Sequence, residues 1–288
     1  MANANGRTVA AGPEAGVATS ADGTELAWQR TGSGPAVIVV DAALGSSAFS
    51  PARGIVPLLA EQFSVVTYDR RGRGASTDTA PYAVAREVED LTAVTLATSR
   101  MPYVYGPSSG ALLALQAAAA GVPMARLAVF EPPLRDGEVA EADEALGRAG
   151  PADGGEGGIG GDLTAELAAL LAEGRNADAV EHFHRSIGVP DEMLAGMRDT
   201  PSFAAFTAIA PTLLHDCALG NETGLDVVAQ VPVPTLVVDS EGSTGDLTGW
   251  AKAIMDALPR GRHCSLPGEW HRVDDADLTA TLTAFFRS

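Results

Sequence analysis

The chain has 288 residues and a formal net charge of -18 at pH 7. A protein this acidic repels nucleic-acid phosphates and anionic lipid surfaces, so we expect neither a nucleic acid nor a membrane as its partner. Hydrophobic residues make up 46% of the sequence and charged residues 19%, which suits a large buried core and argues against a chain disordered throughout.

The first 16 residues are small and polar, with neither a basic start nor an apolar run. They do not resemble a signal peptide, so we expect residues 1–16 to be disordered and the protein to be cytoplasmic. No apolar stretch of the sequence is long enough to span a bilayer. Cys217 and Cys264 are too few for a disulfide framework or a cysteine metal cage, so we expect two free thiols.

Short apolar runs alternate with alanine- and leucine-rich segments, which is typical of a mostly parallel sheet flanked by helices. The predicted strands cover residues 25–31, 37–40, 63–68, 103–105, 127–130 and 235–238. The predicted helices cover residues 51–62, 84–99, 109–120, 246–258 and 276–286. Both ends of the chain carry this alternation, so the sequence predicts an α/β fold.

The strand pattern disappears between residues 134 and 230. A glycine-rich stretch at 153–161 near its start is too flexible to hold regular structure. Beyond it, leucines at helical spacing predict a face that must bury against something: Leu163, Leu167, Leu170 and Leu171. We interpret 134–230 as an inserted helical lid, with residues 1–133 and 231–288 as the two parts of one core.

The clearest chemical motif is GPSSG at 106–110, which follows an apolar strand and begins an alanine- and leucine-rich helix. This context is typical of a G-x-S-x-G nucleophile elbow. The sharp turn would point the Ser108 hydroxyl toward the carboxyl ends of the strands, where ligands bind in open α/β sheets. We therefore predict that Ser108 is a nucleophile, the alternative being a glycine-rich turn without chemistry.

Two further motifs, in the same order along the chain, produce a resemblance to the α/β-hydrolase superfamily. The segment DRRGRGAS at 69–76 resembles its D-x-R-G-x-G-x-S turn, and LPGEWH at 266–271 resembles its histidine loop. The resemblance covers most of the chain. It implies an α/β-hydrolase fold, with a mostly parallel sheet flanked by helices and an inserted helical lid.

A serine hydroxyl is a poor nucleophile at neutral pH, so a base must take its proton, and histidine has a suitable pKa. His271 follows the last predicted strand and precedes the last helix, as the superfamily's base does. The other histidines fit that place less well, and we expect surface or packing roles for them: His182, His184, His215 and His263.

The carboxylate that would orient the base is where the sequence departs from the superfamily. Most relatives have an aspartate in the loop after strand 235–238, where this chain has Ser243. We favour Glu131 as the acid, because a charged residue that ends an apolar strand and precedes two prolines needs a buried partner. Two alternatives stay open. The acid could come from the later loop, which contains Asp239, Glu241 and Asp246, or Glu131 could form a structural salt bridge.

An oxyanion hole should use the backbone N–H of Ser109 and one N–H from the loop after residue 40. The superfamily usually has His-Gly in that loop, whereas this chain has Asp41, Ala42 and Ala43. The second donor is then Ala42 or Ala43. An anionic Asp41 would disfavour a developing oxyanion, so we expect its carboxylate to turn away, either to cap the loop or to bind a substrate hydroxyl.

An aspartate after this strand together with a glutamate acid resembles the fungal-type zearalenone lactonases. The combination Y-G-x-S-S-G and F-E-P-P equally resembles a broad group of uncharacterised hydrolases. These resemblances imply a serine hydrolase that cleaves a hydrophobic ester or lactone through an acyl-enzyme, without a metal or other cofactor. Lid side chains expected at the substrate, or else packed onto the core, are Met193, Met197, Phe203 and Phe206.

Other functions stay open at this point. The same triad supports carbon-carbon bond hydrolysis and perhydrolysis. A non-catalytic small-molecule binder on the same scaffold is a further alternative, because fold does not fix function. Labelling of Ser108 by a fluorophosphonate probe would separate an enzyme from a binder. The sequence gives no indication of the oligomeric state.

Overall fold

The computed structural model describes residues 14–134, 161–189, 191–243, 245–269 and 271–288, except for the side chains at 245, 246 and 248. Two predictions fall largely outside the described residues. One is the glycine-rich stretch at 153–161, of which only residue 161 is described, and the other is the disorder expected for residues 1–16, of which 1–13 are not described. Residues 14–16 differ from that prediction, because they pair with the next strand at the edge of the sheet.

The strands in chain order are β1 Glu14–Thr19, β2 Glu25–Gly32, β3 Ala36–Val39, β4 Ser64–Tyr68, β5 Tyr103–Pro107, β6 Arg126–Phe130, β7 Thr235–Ser240, β8 Gly261–Leu266, β9 Gly268–Glu269 and β10 Arg272–Val273. The helices are α1 Ile55–Leu59, α2 Val84–Thr98, α3 Ser109–Ala119, α4 Asp162–Ala172, α5 Asn176–Ser186, α6 Asp191–Met197, α7 Pro201–Ala208, α8 Leu213–Glu222, α9 Leu225–Val228, α10 Gly245–Ala257 and α11 Asp275–Arg287. Single 3-10 turns, Pro51–Arg53 and Ala210–Thr212, precede α1 and α8.

One sheet contains β1 to β8 in the order β1-β2-β4-β3-β5-β6-β7-β8. The pairs β1–β2 and β2–β4 are antiparallel, and all other pairs in this sheet are parallel. The central strands are apolar on both sides because helices cover both faces of the sheet. The architecture is the mostly parallel α/β sheet that the sequence predicts.

Two of the differences from the sequence prediction lie in the first part of the core. The helix predicted over 51–62 is divided into the turn Pro51–Arg53, capped by the Ser50 hydroxyl, and the short helix α1. Strand β1 was not predicted at all. Its sequence EAGVAT holds one large apolar residue, Val17, which is 59% exposed, so an edge strand of this kind lacks the hydrophobic signature of a buried one.

Helices α4 to α9 lie between β6 and β7 in the chain and form the insertion. They have their own apolar cluster, in which Leu163 and Leu167 are buried and Leu170 and Leu171 are partly buried, as the leucine spacing predicts. Leu44, from the loop after β3, belongs to the same cluster. The insertion therefore packs over the carboxyl end of the sheet, where that loop lies.

Cys217 and Cys264 are free thiols, as predicted. Within the described residues, no single helix has the length and apolar character needed to cross a membrane. Helix α7 and the segment Ala210–Glu222 together have the length and apolar composition of a membrane span, but they are bent by 64° relative to each other.

Candidate active site

Ser108 lies at the sharp turn between β5 and α3. Its φ of 51° is in the left-handed region that non-glycine residues rarely adopt. A side chain at Gly110 would collide with the carbonyl oxygens of Val40 and Asp41, and one at Gly106 would come 2.5 Å from the Gly110 oxygen. The Ser108 N–H donates to the Phe130 carbonyl at 2.8 Å, which fixes the turn to β6. The elbow predicted from GPSSG is present.

His271 lies between the paired strands β9 and β10, with a φ of 55°. Its backbone N–H donates to Glu131 Oε2 at 2.6 Å, and its Nδ1 lies 2.7 Å from the same oxygen. One carboxylate oxygen thus fixes both the loop and the imidazole ring. The structure brings His271 and Glu131 together as the sequence predicts.

Glu131 follows β6 and is 0% exposed. Its other oxygen, Oε1, accepts the Ser240 N–H at 2.9 Å and the hydroxyls of Ser240 and Ser243. Ser243 occupies the place where the resemblance implies an aspartate. In this chain that position donates a hydrogen bond to Glu131 instead of supplying a carboxylate.

Glu131 is held in its ionised form. Burial by itself raises the pKa of this carboxyl, but it is outweighed by the hydrogen bond and charge of His271 and by the Ser240 and Ser243 hydroxyls, which together lower the pKa to about 2. An anion at this place can stabilise a positively charged imidazole.

The competing acids of the later loop lie elsewhere. Asp239 is buried, and its Oδ2 lies 3.0 Å from Nε2 of His263, so it pairs with a different histidine. The side chain of Glu241 is exposed, and that of Asp246 lies outside the described residues. Among the described carboxylates, Glu131 is the one at His271.

The two candidate N–H groups in the loop after β3 differ in their hydrogen bonds. The Ala42 N–H donates to Asp41 Oδ1 at 3.1 Å, whereas the Ala43 N–H has no hydrogen-bond partner within the described part of the chain. Ser109 is the first residue of α3, where N–H groups lack partners inside the helix. Of the two alternatives, Ala43 is the better candidate for the second donor.

Asp41 turns away from the cavity, which corrects its prediction as a substrate-binding residue. It is 7% exposed, accepts hydrogen bonds from the Ala42 N–H and the Ser50 hydroxyl, and packs against Gly45, where a Cβ would lie 2.5 Å from its Cγ. Burial raises the pKa of Asp41 to about 6 despite these hydrogen bonds. Capping of the loop is the role that these contacts support.

A cavity of about 300 Å³ separates the elbow from the insertion. Ser108, His271, Ala42 and Ala43 line it together. Most of the remaining wall is apolar and comes from both the core and the insertion, including Leu44, Phe49, Phe130, Phe183, Ile187 and Val273. The chemical groups therefore face a space suited to an apolar molecule.

Three of the four lid residues predicted at the substrate line this cavity, namely Met193, Met197 and Phe206. Phe203 does not. It is 6% exposed and packs inside the apolar cluster of the insertion, because it faces the neighbouring lid helices and not the core. Phe203 therefore has a packing role, but it packs inside the insertion and not, as the alternative from the sequence had it, onto the core.

Of the remaining histidines, one departs from its expected surface or packing role. His182 pairs with Glu166 at the surface, and His215 stacks on Tyr82 with 3.8 Å between the ring centroids. His184, by contrast, lines the cavity. The spacing of Phe183, His184 and Ile187 along the last turn of α5 and its C-cap is the sequence signal that could have revealed this lid face.

The comparisons with known proteins identify the class. The model of the alpha/beta hydrolase family matches residues 32–282, so the chain belongs to the α/β-hydrolase family. An alpha/beta hydrolase from Sphaerobacter thermophilus is 38% identical, with a TM-score of 0.81 over 94% of this chain and 100% of that one. The predicted α/β-hydrolase fold with a helical insertion is thus confirmed.

More distant structures share the fold. An esterase from a Rhodococcus species is 20% identical, with a TM-score of 0.64 over 95% of this chain and 98% of that one. An enol-lactonase from Burkholderia xenovorans is also 20% identical, with a TM-score of 0.62 over 95% of this chain and 100% of that one. No curated protein matches the sequence.

Proposed function

We propose that the protein is a serine hydrolase that cleaves a hydrophobic carboxylic ester or lactone through an acyl-enzyme intermediate. The observation that carries the proposal is that Ser108, on a strained elbow, lines the same apolar cavity as His271, whose Nδ1 lies 2.7 Å from the ionised Glu131. Similarity of fold to proteins named as an esterase and an enol-lactonase supports the substrate class.

In the proposed mechanism, Glu131 accepts the Nδ1–H of His271, and Nε2 is the ring nitrogen that takes the Ser108 proton. The Ser108 oxygen attacks the carbonyl carbon, and the N–H groups of Ser109 and Ala43 stabilise the oxyanion. The intermediate collapses as His271 returns the proton to the leaving oxygen. Water, deprotonated by His271, then hydrolyses the acyl-enzyme and regenerates the Ser108 hydroxyl.

The cavity restricts the substrate. Its volume of about 300 Å³ is at the lower end of the range for small-molecule sites, and methionines from α6 suit an irregular apolar group. We therefore propose a compact acyl or lactone substrate and disfavour long unbranched chains.

His184 adds a polar preference within this apolar wall. Its Nδ1 lies 2.7 Å from the Val180 carbonyl oxygen, which can only accept, so Nδ1 carries the proton. Burial lowers the pKa of His184 and favours the neutral ring. The remaining ring nitrogen, Nε2, is then a hydrogen-bond acceptor, so we propose that the substrate carries a donor such as a hydroxyl. Asp275 also lines the cavity, but it is exposed to solvent.

The test combines labelling with hydrolysis. A fluorophosphonate probe should label the wild-type protein and fail to label Ser108→Ala. Aryl esters of graded chain length, assayed beside lactones, should show turnover that peaks at short acyl groups. A wild-type protein that the probe does not label would refute the proposal and favour a binding protein on this scaffold.

A further inference from the structure

The arginines of the DRRGRGAS turn are all buried, although guanidinium groups are costly to remove from water. Arg71 pairs with Asp90 through two contacts of 2.7 Å, away from the site. Arg70 and Arg73 instead converge on one carboxylate, Asp216, which belongs to helix α8 of the insertion. The insertion therefore supplies an anion to the core beneath the candidate oxyanion loop.

Asp216 is 0% exposed, and both of its oxygens are engaged. Oδ1 accepts from Arg70 Nη1 and from the Ser109 hydroxyl, each at 2.8 Å, and Oδ2 accepts from Arg73 Nη2 at 2.7 Å. Burial raises the pKa of Asp216, but the charges of Arg73 and Arg70 outweigh it and lower the pKa overall. The carboxylate is a fixed anion with three donors.

Two of those donors, the Ser109 hydroxyl and Arg73, connect Asp216 to the candidate oxyanion hole. The Ser109 hydroxyl belongs to the residue whose backbone N–H is the first candidate donor. Arg73 Nη1 donates to the Ala42 carbonyl at 2.6 Å. In a planar trans peptide the carbonyl and the following N–H point in opposite directions, so this contact directs the Ala43 N–H away from Arg73. Arg70 holds the preceding Asp41 carbonyl at 3.3 Å.

We propose that Asp216 is a positioning residue that aligns both donors of the oxyanion hole, one through Ser109 and the other through Arg73 and the Ala42 carbonyl. The inference rests on the proposed function, because it needs an oxyanion to form in the cavity. It assigns the insertion a part in catalysis besides lining the cavity, since the aligning carboxylate comes from α8.

The main test compares two isosteric changes at buried, arginine-bound aspartates. Asp216→Asn removes the carboxylate charge that pairs with Arg73 and that shares Arg70 with Glu87, whereas Asp90→Asn weakens the Arg71 pair, which contacts no candidate donor. Both should lower the melting temperature. Only Asp216→Asn should lower kcat, by about 10- to 100-fold with little change in KM, because misplacing a donor costs less than the 10²–10³ lost when one is removed.

A second readout isolates the oxyanion hole. The affinity for an aryl trifluoromethyl ketone, which forms a tetrahedral adduct with the serine, should fall in Asp216→Asn by about the same factor as kcat and stay unchanged in Asp90→Asn. An unchanged kcat and adduct affinity in Asp216→Asn, or equal losses in both variants, would overturn the proposal.

If Asp216→Asn does not fold, Ser109→Ala decides the question. This change removes one hydroxyl and leaves both arginine pairs in place, so the melting temperature should change little and kcat should fall several-fold. Wild-type kcat in a folded Ser109→Ala would then overturn the proposal. A wild-type protein without Ser108-dependent fluorophosphonate labelling would instead refute the proposed function itself.

Discussion

Two buried carboxylates lie on opposite sides of the nucleophile elbow, and their partners differ in kind. Glu131, on the histidine side, is held by backbone N–H groups, two serine hydroxyls and one imidazole. Asp216, on the oxyanion side, is held by two guanidinium groups and one hydroxyl. Both are 0% exposed, and both have a lowered pKa.

The two carboxylates differ in whether a positive charge faces them permanently or only during the reaction. Asp216 faces permanent cations, so its energy changes little during a reaction and it is suited to fixing geometry. Glu131 has one ionic partner, His271, whose positive charge is present only while it holds the proton taken from Ser108, and its other donors are neutral. An anion in that setting can lower the energy of a transient cation, which is what a catalytic acid must do.

The largest loss of activity is expected when the nucleophile itself, the Ser108 hydroxyl, is removed. Ser108→Ala should lower kcat/KM by several orders of magnitude, to what binding and the oxyanion hole supply alone, and His271→Ala should match it, because triad members act as a unit. Steady-state assays on an aryl ester, with melting curves to confirm folding, check this. Adding Glu131→Gln to Ser108→Ala should cause no further loss of activity, whereas adding Asp216→Asn should lower the residual activity, because the oxyanion hole supplies part of it. Wild-type turnover in Ser108→Ala would contradict the assignment.

The next effect separates the two carboxylates. Glu131→Gln keeps the size of the side chain but removes the charge beside His271, so kcat should fall by roughly 10³ to 10⁴, well beyond the loss expected for Asp216→Asn. Asp239→Asn and Glu241→Gln are the matched controls and should retain activity. If Glu131→Gln stays active and one of the control substitutions abolishes activity, the carboxylate that orients His271 belongs to the later loop.

The same variant offers a rescue. Because the Ser243 hydroxyl reaches Glu131 Oε1, an aspartate at 243 would place a carboxylate close to the lost one. Ser243→Asp in the Glu131→Gln background should restore kcat by roughly tenfold, since an anion near His271 lowers the energy of the imidazolium. Absence of any gain would show that the geometry at 243 no longer reaches the histidine.

The sequence was informative where chemistry demands a fixed local conformation. GPSSG predicted the elbow because only glycine fits on both sides of Ser108, and the Glu-Pro-Pro run identified a buried carboxylate that needs a partner. Contacts between distant segments carry no such signature. Asp216 is 107 residues from Ser109 in the chain, and the orientations of Phe203 and His184 depend on how short lid helices pack, which helical periodicity alone does not determine.

A third buried carboxylate, Asp41, contributes to stability with a pH dependence of its own. Asp41 lies near Arg70 and Arg73 but forms no ion pair with them, and burial raises its pKa to about 6 from 3.8. The folded state therefore keeps a proton that the unfolded state loses, so this group's contribution to stability falls as the pH rises from about 4 to about 6. Glu131 contributes in the opposite direction, losing stability as the pH falls toward about 2.

Asp41→Asn should remove the Asp41 contribution. The free energy of unfolding of the variant, minus that of the wild type, should increase by up to ~3 kcal/mol between pH 4 and pH 7, since one pKa unit is worth about 1.4 kcal/mol. Denaturant unfolding of both proteins at several pH values measures this. A difference that stays flat, or decreases as the pH rises, would show that folding does not raise the pKa of Asp41.

The smallest expected effect concerns the choice of substrate. If His184 Nε2 accepts a hydrogen bond from the substrate, His184→Phe should lower kcat/KM for a hydroxyl-bearing ester by about tenfold and leave its deoxy analogue nearly unchanged, because a hydrogen bond of this kind contributes about 1 kcal/mol or somewhat more. The matched control is Phe203→Leu, a change buried in the same insertion but outside the cavity. It should lower the melting temperature without altering the ratio of the two substrates. If His184→Phe leaves the ratio of kcat/KM for the two substrates unchanged, His184 does not select for a hydroxyl. The apolar wall of the cavity alone would then select the substrate.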